Sequence, residues 1–253
     1  MRLRRYRALE KRVNGRSRSI RPSLNSTPLR MLPRKRKRVR RVTSGDTTLV
    51  RASNPIWISL RREKPPSRRT VDEAIFVRAP AAFRALARLT LKLPRSSRLR
   101  QALIRRSVLL SMGAWMRRDF EAGLIRYAPE AVIGPGEGDA RLRLDLEASY
   151  RGRDGVRAFL QGFQDAFGDL TYEPQWIVDL GGGRFVMILH HSLRGRASGA
   201  SVEQLSGHRL ELRDGLVVRE EIHSTPGHDW ASLAQAVGLD PAELVRKAKG
   251  LTD

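Results

Sequence analysis

Between Leu170 and Ser224 apolar and polar residues alternate with a period of two, and turn residues break the alternation three times. Successive side chains of a strand point to opposite faces, so this pattern commits the segment to half-buried antiparallel strands. Four strands are predicted, over residues 170–180, 184–193, 202–213 and 216–224. The breaks are Gly181-Gly182-Gly183, a glycine-containing loop over 195–199, and Arg213-Asp214-Gly215. Asp-Gly between two alternating runs is a strong hairpin signal, because the tight turn that suits twisted strands needs positive φ at both central residues.

The chain ahead of these strands has helical periodicity. One helix is expected over 81–91, with Phe83, Leu86, Leu89 and Leu91 apolar, stopped by Pro94. A second is expected over 97–116, and Asp119 caps a short third carrying Phe120, Leu124 and Ile125, closed by Tyr127-Ala128-Pro129. One or two short strands follow, with Leu142, Leu144 and Leu146 in alternation. Val156, Phe159, Leu160, Phe163 and Phe167 then place one apolar stripe on a helix. Asp229 and Asp240 cap two helices at the end of the chain, with Gly238 between them. Helices, then strands, indicate an α+β fold with helices over one face of a curved sheet.

Charge divides the chain in two. Residues 1–70 hold 23 basic and 3 acidic side chains, whereas residues 71–253 hold 26 basic and 23 acidic. The first part has scattered prolines and no hydrophobic period, so it cannot offset the entropy of ordering and a disordered extension is expected. The densest basic run, residues 34–41, would bind nucleic acid non-specifically through its phosphates. The abrupt change at Val71 also suggests a product that begins there, upstream bases being translated by a mis-assigned start. The second part, 71–253, is expected to form the domain, with residues 71–96 as a helical lead-in. There is no cysteine, which excludes disulfides and thiolate chemistry. No apolar run reaches the ~20 residues of a membrane span, and no apolar stretch follows the basic N-terminus as in a signal peptide. A cytoplasmic protein without membrane contact is expected.

Three segments, in order, carry a family resemblance. Trp115-Met116-Arg117-Arg118-Asp119-Phe120-Glu121 resembles the first-helix motif of the NTF2-like superfamily in its SnoaL-like, polyketide-cyclase-like branch. Tyr150-Arg151-Gly152-Arg153-Asp154-Gly155-Val156 with Phe159-Leu160 resembles the second motif, and Leu212-Arg213-Asp214-Gly215-Leu216-Val217-Val218-Arg219 the last hairpin. The resemblance spans roughly residues 71–239. It implies a conical α+β barrel, with helices packed over the concave face of a curved antiparallel sheet around an apolar pocket, often as a dimer. It also implies cofactor-independent chemistry: isomerisation, cyclisation or hydration by proton transfer. In the cyclases a His and an Asp project inward from the last two strands. His208 matches the first position, but the second falls on Ile222.

Alternation sorts the candidate site residues. Arg209, Glu211 and Arg213 form the wet face of their strand, so His208, Leu210 and Leu212 point inward. On the last strand Val218, Glu220 and Ile222 share a face, assigned to the inside. His208 is the candidate acid/base and Glu220 its partner or a second base, since burial raises a carboxyl pKa toward working pH. Trp115, Tyr150, His190, Leu210, Val218 and Ile222 are the candidate pocket lining. Adjacent His190 and His191 point to opposite faces, and no helical His pair with a Glu is present, so no metal site and no cofactor are expected. The strand over 184–193 is apolar on both faces; one is a pocket wall, and a second subunit is the expected cover of the other. The functions open on this reading are a small-molecule enzyme for an apolar or hydroxylated ligand, a non-catalytic ligand-binding or dimerisation module, and a nucleic-acid-associated protein acting through its basic extension.

Overall fold

The computed structural model describes residues 54–136, 149–196 and 199–250, all within one compact unit, Leu49–Asp253. The basic run at 34–41, the rest of the extension before residue 54, and the alternating Leu142, Leu144 and Leu146 lie outside the described residues.

The four alternating segments form the body of the sheet as β4 (Phe167–Gly181), β5 (Arg184–Gly195), β6 (Ser201–Arg213) and β7 (Leu216–Pro226). They are joined by β1 (Ile56–Ser59), β2 (Tyr127–Pro135) and β3 (Tyr150–Arg151) in the order β1-β4-β5-β6-β7-β2-β3. The sheet is curved, as expected, and mainly antiparallel; it is open, with β1 and β3 as its edges, and β2 runs parallel to β7. The β4–β5 ladder shifts register at three places, and each such irregularity bends a strand. The β6–β7 turn has Asp214 at φ 53° and Gly215 at φ 79°, both left-handed, as a tight hairpin between twisted strands requires.

Seven helices are described: α1 (Val71–Arg78), α2 (Pro80–Lys92), α3 (Arg98–Met116), α4 (Phe120–Leu124), α5 (Gly152–Ala166), α6 (Trp230–Val237) and α7 (Pro241–Ala248). Ser97, Asp119, Asp229 and Asp240 cap α3, α4, α6 and α7 through side-chain oxygens that accept backbone N–H bonds. The buried faces of α2 and α5 meet on Phe83, Val156 and Phe159, against Ile133 of β2 and Ile222 of β7.

Three expectations are corrected. The domain does not begin at residue 71. β1 pairs with β4 along its length, Ile58 and Leu60 are buried, and Arg61 lies over the Trp176 ring and bonds the last carbonyls of α7. Residues 56–61 are therefore built into the sheet, which argues against a product starting at Val71. Tyr127-Ala128-Pro129 does not close a helix but opens β2, and Pro129 falls where the β2–β7 ladder is interrupted between Tyr127 and Val132, the setting in which a strand tolerates a missing N–H. Finally, the second apolar face of β5 is covered by the chain itself. Val186 and Ile188 pack with Trp176, Val178 and Leu205 against Leu233, Val237 and Leu244 of α6 and α7. Gly207 lets α6 this close: a Cβ there would meet Val237 Cγ1 at 2.5 Å. The reason for expecting a second subunit on this face is thereby removed.

Candidate functional site

A cavity of about 410 Å³ lies between the sheet and the helices α1, α2, α3 and α5. Its walls are mainly apolar, with Phe76, Phe83, Leu103, Trp115, Phe159 and Met187 among them. Polar side chains enter from β4 to β7 and from the α4–β2 junction: Tyr172, His191, His208, Glu220, Arg126 and Tyr127 all line it.

Four of these side chains belong to one chain of hydrogen bonds. Tyr127 Oη donates to Glu220 Oε2 over 2.5 Å, and Glu220 Oε1 is 2.6 Å from His208 Nδ1. His208 Nε2 is 3.2 Å from Ser206 Oγ, which is 2.8 Å from His191 Nε2. Each member is less than a tenth exposed. A consistent set of directions has His208 Nδ1–H donating to the carboxylate, Ser206 O–H donating to His208 Nε2, and His191 Nε2–H donating to Ser206.

The electrostatics fit that set. Burial, then the charge and hydrogen bond of Glu220, push the Tyr127 hydroxyl well above its ordinary pKa, so it stays a neutral donor. Burial and the Glu220 charge push Tyr172 up likewise. Burial, reinforced by the charges of His208 and His190, holds His191 well below the ordinary imidazole range and keeps it neutral. His191 Nδ1 is buried and meets no protein partner among the described residues.

Residues 109–220 match the family model of the SnoaL-like domain. Over these residues the chain is similar to a SnoaL-like domain. The match begins inside α3 and ends at Glu220, so β1, α1, α2, α6 and α7 lie outside it. Comparison with curated proteins gives no match. Among solved structures, an NTF2-like protein of unknown function from Burkholderia pseudomallei is 22% identical over 56% of this chain and 93% of its own, with a TM-score of 0.42. TerC, co-crystallised with polyporic acid, is 20% identical over 53% of this chain and 96% of its own, with a TM-score of 0.41. A putative SnoaL-like polyketide cyclase from Shewanella denitrificans is 15% identical over 48% of this chain and 89% of its own, with a TM-score of 0.40.

The fold brings together His208, Glu220, Trp115, Leu210 and Ile222, which all line the cavity. Three other candidates lie elsewhere. Val218 does not line the cavity and Val217 does. The β6–β7 register steps from Glu211↔Arg219 to Leu212↔Val217, and this bulge leaves Val218 as the extra residue and reverses the alternation before it. Tyr150 packs edge-on against Phe159 on the short edge strand β3. His190 points to the opposite face of β5 from His191, as the alternation requires, and its ring stacks on His228 at 5.1 Å.

On that far face His190, Glu203 and His228 bring one ligand-type atom each within 4.8 Å of one another, a grouping not foreseen from spacing because three separate elements supply it. The two rings lie nearly parallel, 16° apart.

Tyr127, Ser206, His191 and Arg126 were not among the sequence candidates. Ser206 had a usable signal, since it stands two residues before His208 on the same strand face. Tyr127 and Arg126 had none, because their positions depend on where β2 starts.

Proposed function

We propose that the domain binds a small, mainly apolar molecule in this cavity and moves a proton on it by acid–base chemistry of its own side chains, with His208 as the proton carrier. The observation that carries the reading is the 2.6 Å contact between His208 Nδ1 and Glu220 Oε1 at the wall of an apolar cavity. Fold alone does not name a reaction, but a buried imidazole backed by a carboxylate is suited to taking and returning a proton. Both Glu220 oxygens are already engaged, by Tyr127 and by His208, so its part is to orient the ring and stabilise the imidazolium. The ring's other nitrogen holds Ser206 at 3.2 Å, the longest bond of the chain, and this is the contact a ligand would displace. Nε2 would then remove a proton from a carbon next to a carbonyl, leaving an enolate, and return it at a second carbon. Isomerisation uses this step whole; in an aldol cyclisation the same enolate attacks a second carbonyl carbon and the proton passes to the resulting alkoxide, and in a hydration Nε2 takes its proton from the water that adds to a conjugated double bond and returns it to the enolate carbon so formed.

Solvent-deuterium incorporation into 2-tetralone, followed by mass spectrometry, tests this. The domain should catalyse exchange above buffer, and His208→Phe should reduce it about 100-fold or more while the fold is kept. Exchange that is unaffected by His208→Phe would remove His208 from the chemistry. Binding of the ketone without exchange would make the domain a ligand carrier instead.

A further inference from the structure

Arg126 is 6% exposed and lines the cavity, yet most of its donor capacity is unused. Nη1 donates to the Ala122 carbonyl over 2.9 Å, and the guanidinium lies 5.4 Å from the centre of the Phe83 ring. Nε and Nη2 are buried and meet no acceptor among the described residues. These two nitrogens form one edge of the planar group, with parallel N–H bonds spaced to match the two oxygens of a carboxylate.

The protein itself shows what that edge is for. Arg69 uses Nε and Nη2 to hold Asp119 at 2.8 and 2.7 Å, and Arg106 uses the same pair to hold Asp72 at 2.9 Å each. Arg100 turns the same edge on Asp179, at 3.0 and 2.7 Å. Of these four, Arg106 and Arg126 line the cavity, and Arg126 is the one whose edge holds no acid. The acids nearest it are committed: Glu73 binds Arg117 through both oxygens at 2.9 Å, and Asp72 binds Arg106. Arg117 also lies 3.9 Å from Asp119, and Arg126 has no ion pair with a carboxylate of its own among the described residues. A buried cation left without its own counter-charge is costly unless a ligand supplies one.

We propose that the cavity takes an apolar molecule bearing one carboxylate, which the Nε–Nη2 edge of Arg126 holds bidentately. The proposal rests on the reading of the cavity as the ligand site, and it narrows the ligand class from apolar molecules in general to apolar monoacids. The hydrocarbon part lies against Phe83, Trp115 and Phe159. The acid–base chain at Tyr127, Glu220 and His208 serves the remainder of the molecule.

Calorimetric titration of the full chain with benzoate, 2-naphthoate and biphenyl-4-carboxylate, each beside its neutral methyl ester, tests this. At least one acid should bind ten-fold or more tighter than its ester. In Arg126→Met that preference should vanish while ester affinity is kept, and Arg126→Lys, which keeps the charge but loses the fork, should fall between. Equal affinity of acid and ester in the unmodified protein overturns the assignment of Arg126 and leaves the ligand site standing, and this arm does not depend on any variant folding. An acid preference that survives Arg126→Met in a folded variant overturns it equally. Failure of every acid and every ester to bind overturns the cavity as a ligand site, and this proposal with it.

Discussion

His208 and Glu220 are diagonal neighbours on one face of the β6–β7 ladder: His208 stands opposite Ile222 and Leu210 opposite Glu220, and the ring and carboxylate meet across the diagonal at 2.6 Å. Diagonal pairs on antiparallel strands are within reach of long side chains. Ile222 occupies the position opposite the His where the resemblance places a carboxylate, and Glu220 stands two residues away on the same strand face. The hairpin turn at Asp214-Gly215 holds the register that makes this contact.

This relationship predicts the effect of Glu220→Gln. The amide keeps the shape of the carboxylate but cannot stabilise a cationic ring. Exchange of 2-tetralone should fall by about 100-fold, while affinity for the ketone changes little. An exchange rate within a few-fold of the unmodified protein would mean that the 2.6 Å contact has no part in the chemistry.

His191 supplies a pH prediction. Its folded pKa is held well below the ordinary 6.5, first by burial and then by the charges of His208 and His190. Its contribution to stability is present above pH 6.5 and is lost as pH falls toward the folded value, because only the unfolded chain takes up the proton. At pH 5.5 the loss relative to neutral pH should be about 1 kcal/mol from this residue alone. Urea unfolding at pH 7.5 and 5.5 measures it, and the pH dependence should be correspondingly weaker in His191→Phe.

Where the fold could be read from sequence, a single period decided the matter. The inward orientation of His208 follows from Arg209, Glu211 and Arg213 on the other face of β6, because that strand pairs regularly with β5 over its length. The same rule failed at Val218, where a bulge adds one residue to β7. Bulges depend on the partner strand and leave no mark in the period of their own strand. β1 escaped notice because its four residues, Ile56-Trp57-Ile58-Ser59, sit inside the most basic part of the chain. Its apolar side chains are stabilised by β4, more than 100 residues later, and local composition carries no trace of that pairing. The caps of α6 and α7 were legible, whereas their docking on Val186 and Ile188 depends on the absence of a side chain at Gly207 and of any bulky neighbour there.

The outer layer gives a stability prediction. In Gly207→Ala the added carbon would lie 2.5 Å from Val237 Cγ1 and 3.2 Å from Leu233 Cδ1. α6 must shift off the sheet, and overpacking of this kind costs about 1–3 kcal/mol. Equilibrium urea unfolding should record that loss. Deuterium exchange into 2-tetralone should be retained, because the contact lies on the face of β6 turned away from the cavity. Unchanged stability would mean that α6 is not held against β6 as described.

The last prediction concerns the joint between α3 and β4. Arg100 and Asp179 have side chains only 4% and 1% exposed, and they meet at 2.7 Å. Arg100 also donates to the Leu91 and Leu93 carbonyls at 2.6 and 2.9 Å, which fixes the end of α2 to the start of α3. Arg100→Leu removes the cation and leaves a buried carboxylate that keeps the Gly181 N–H at 2.8 Å and one partly exposed cation, Arg95, 3.5 Å away. The loss should be about 3–5 kcal/mol, since an uncompensated buried charge costs more than the pair contributes. The double variant Arg100→Leu, Asp179→Leu separates the two effects. It should recover much of the loss if desolvation of the orphaned carboxylate dominates, and recover little if the bonds to Leu91 and Leu93 dominate. The first outcome is expected, because the carboxylate is the more deeply buried partner, whereas the two carbonyls stand at the end of α2, in the 91–93 segment that is only partly buried.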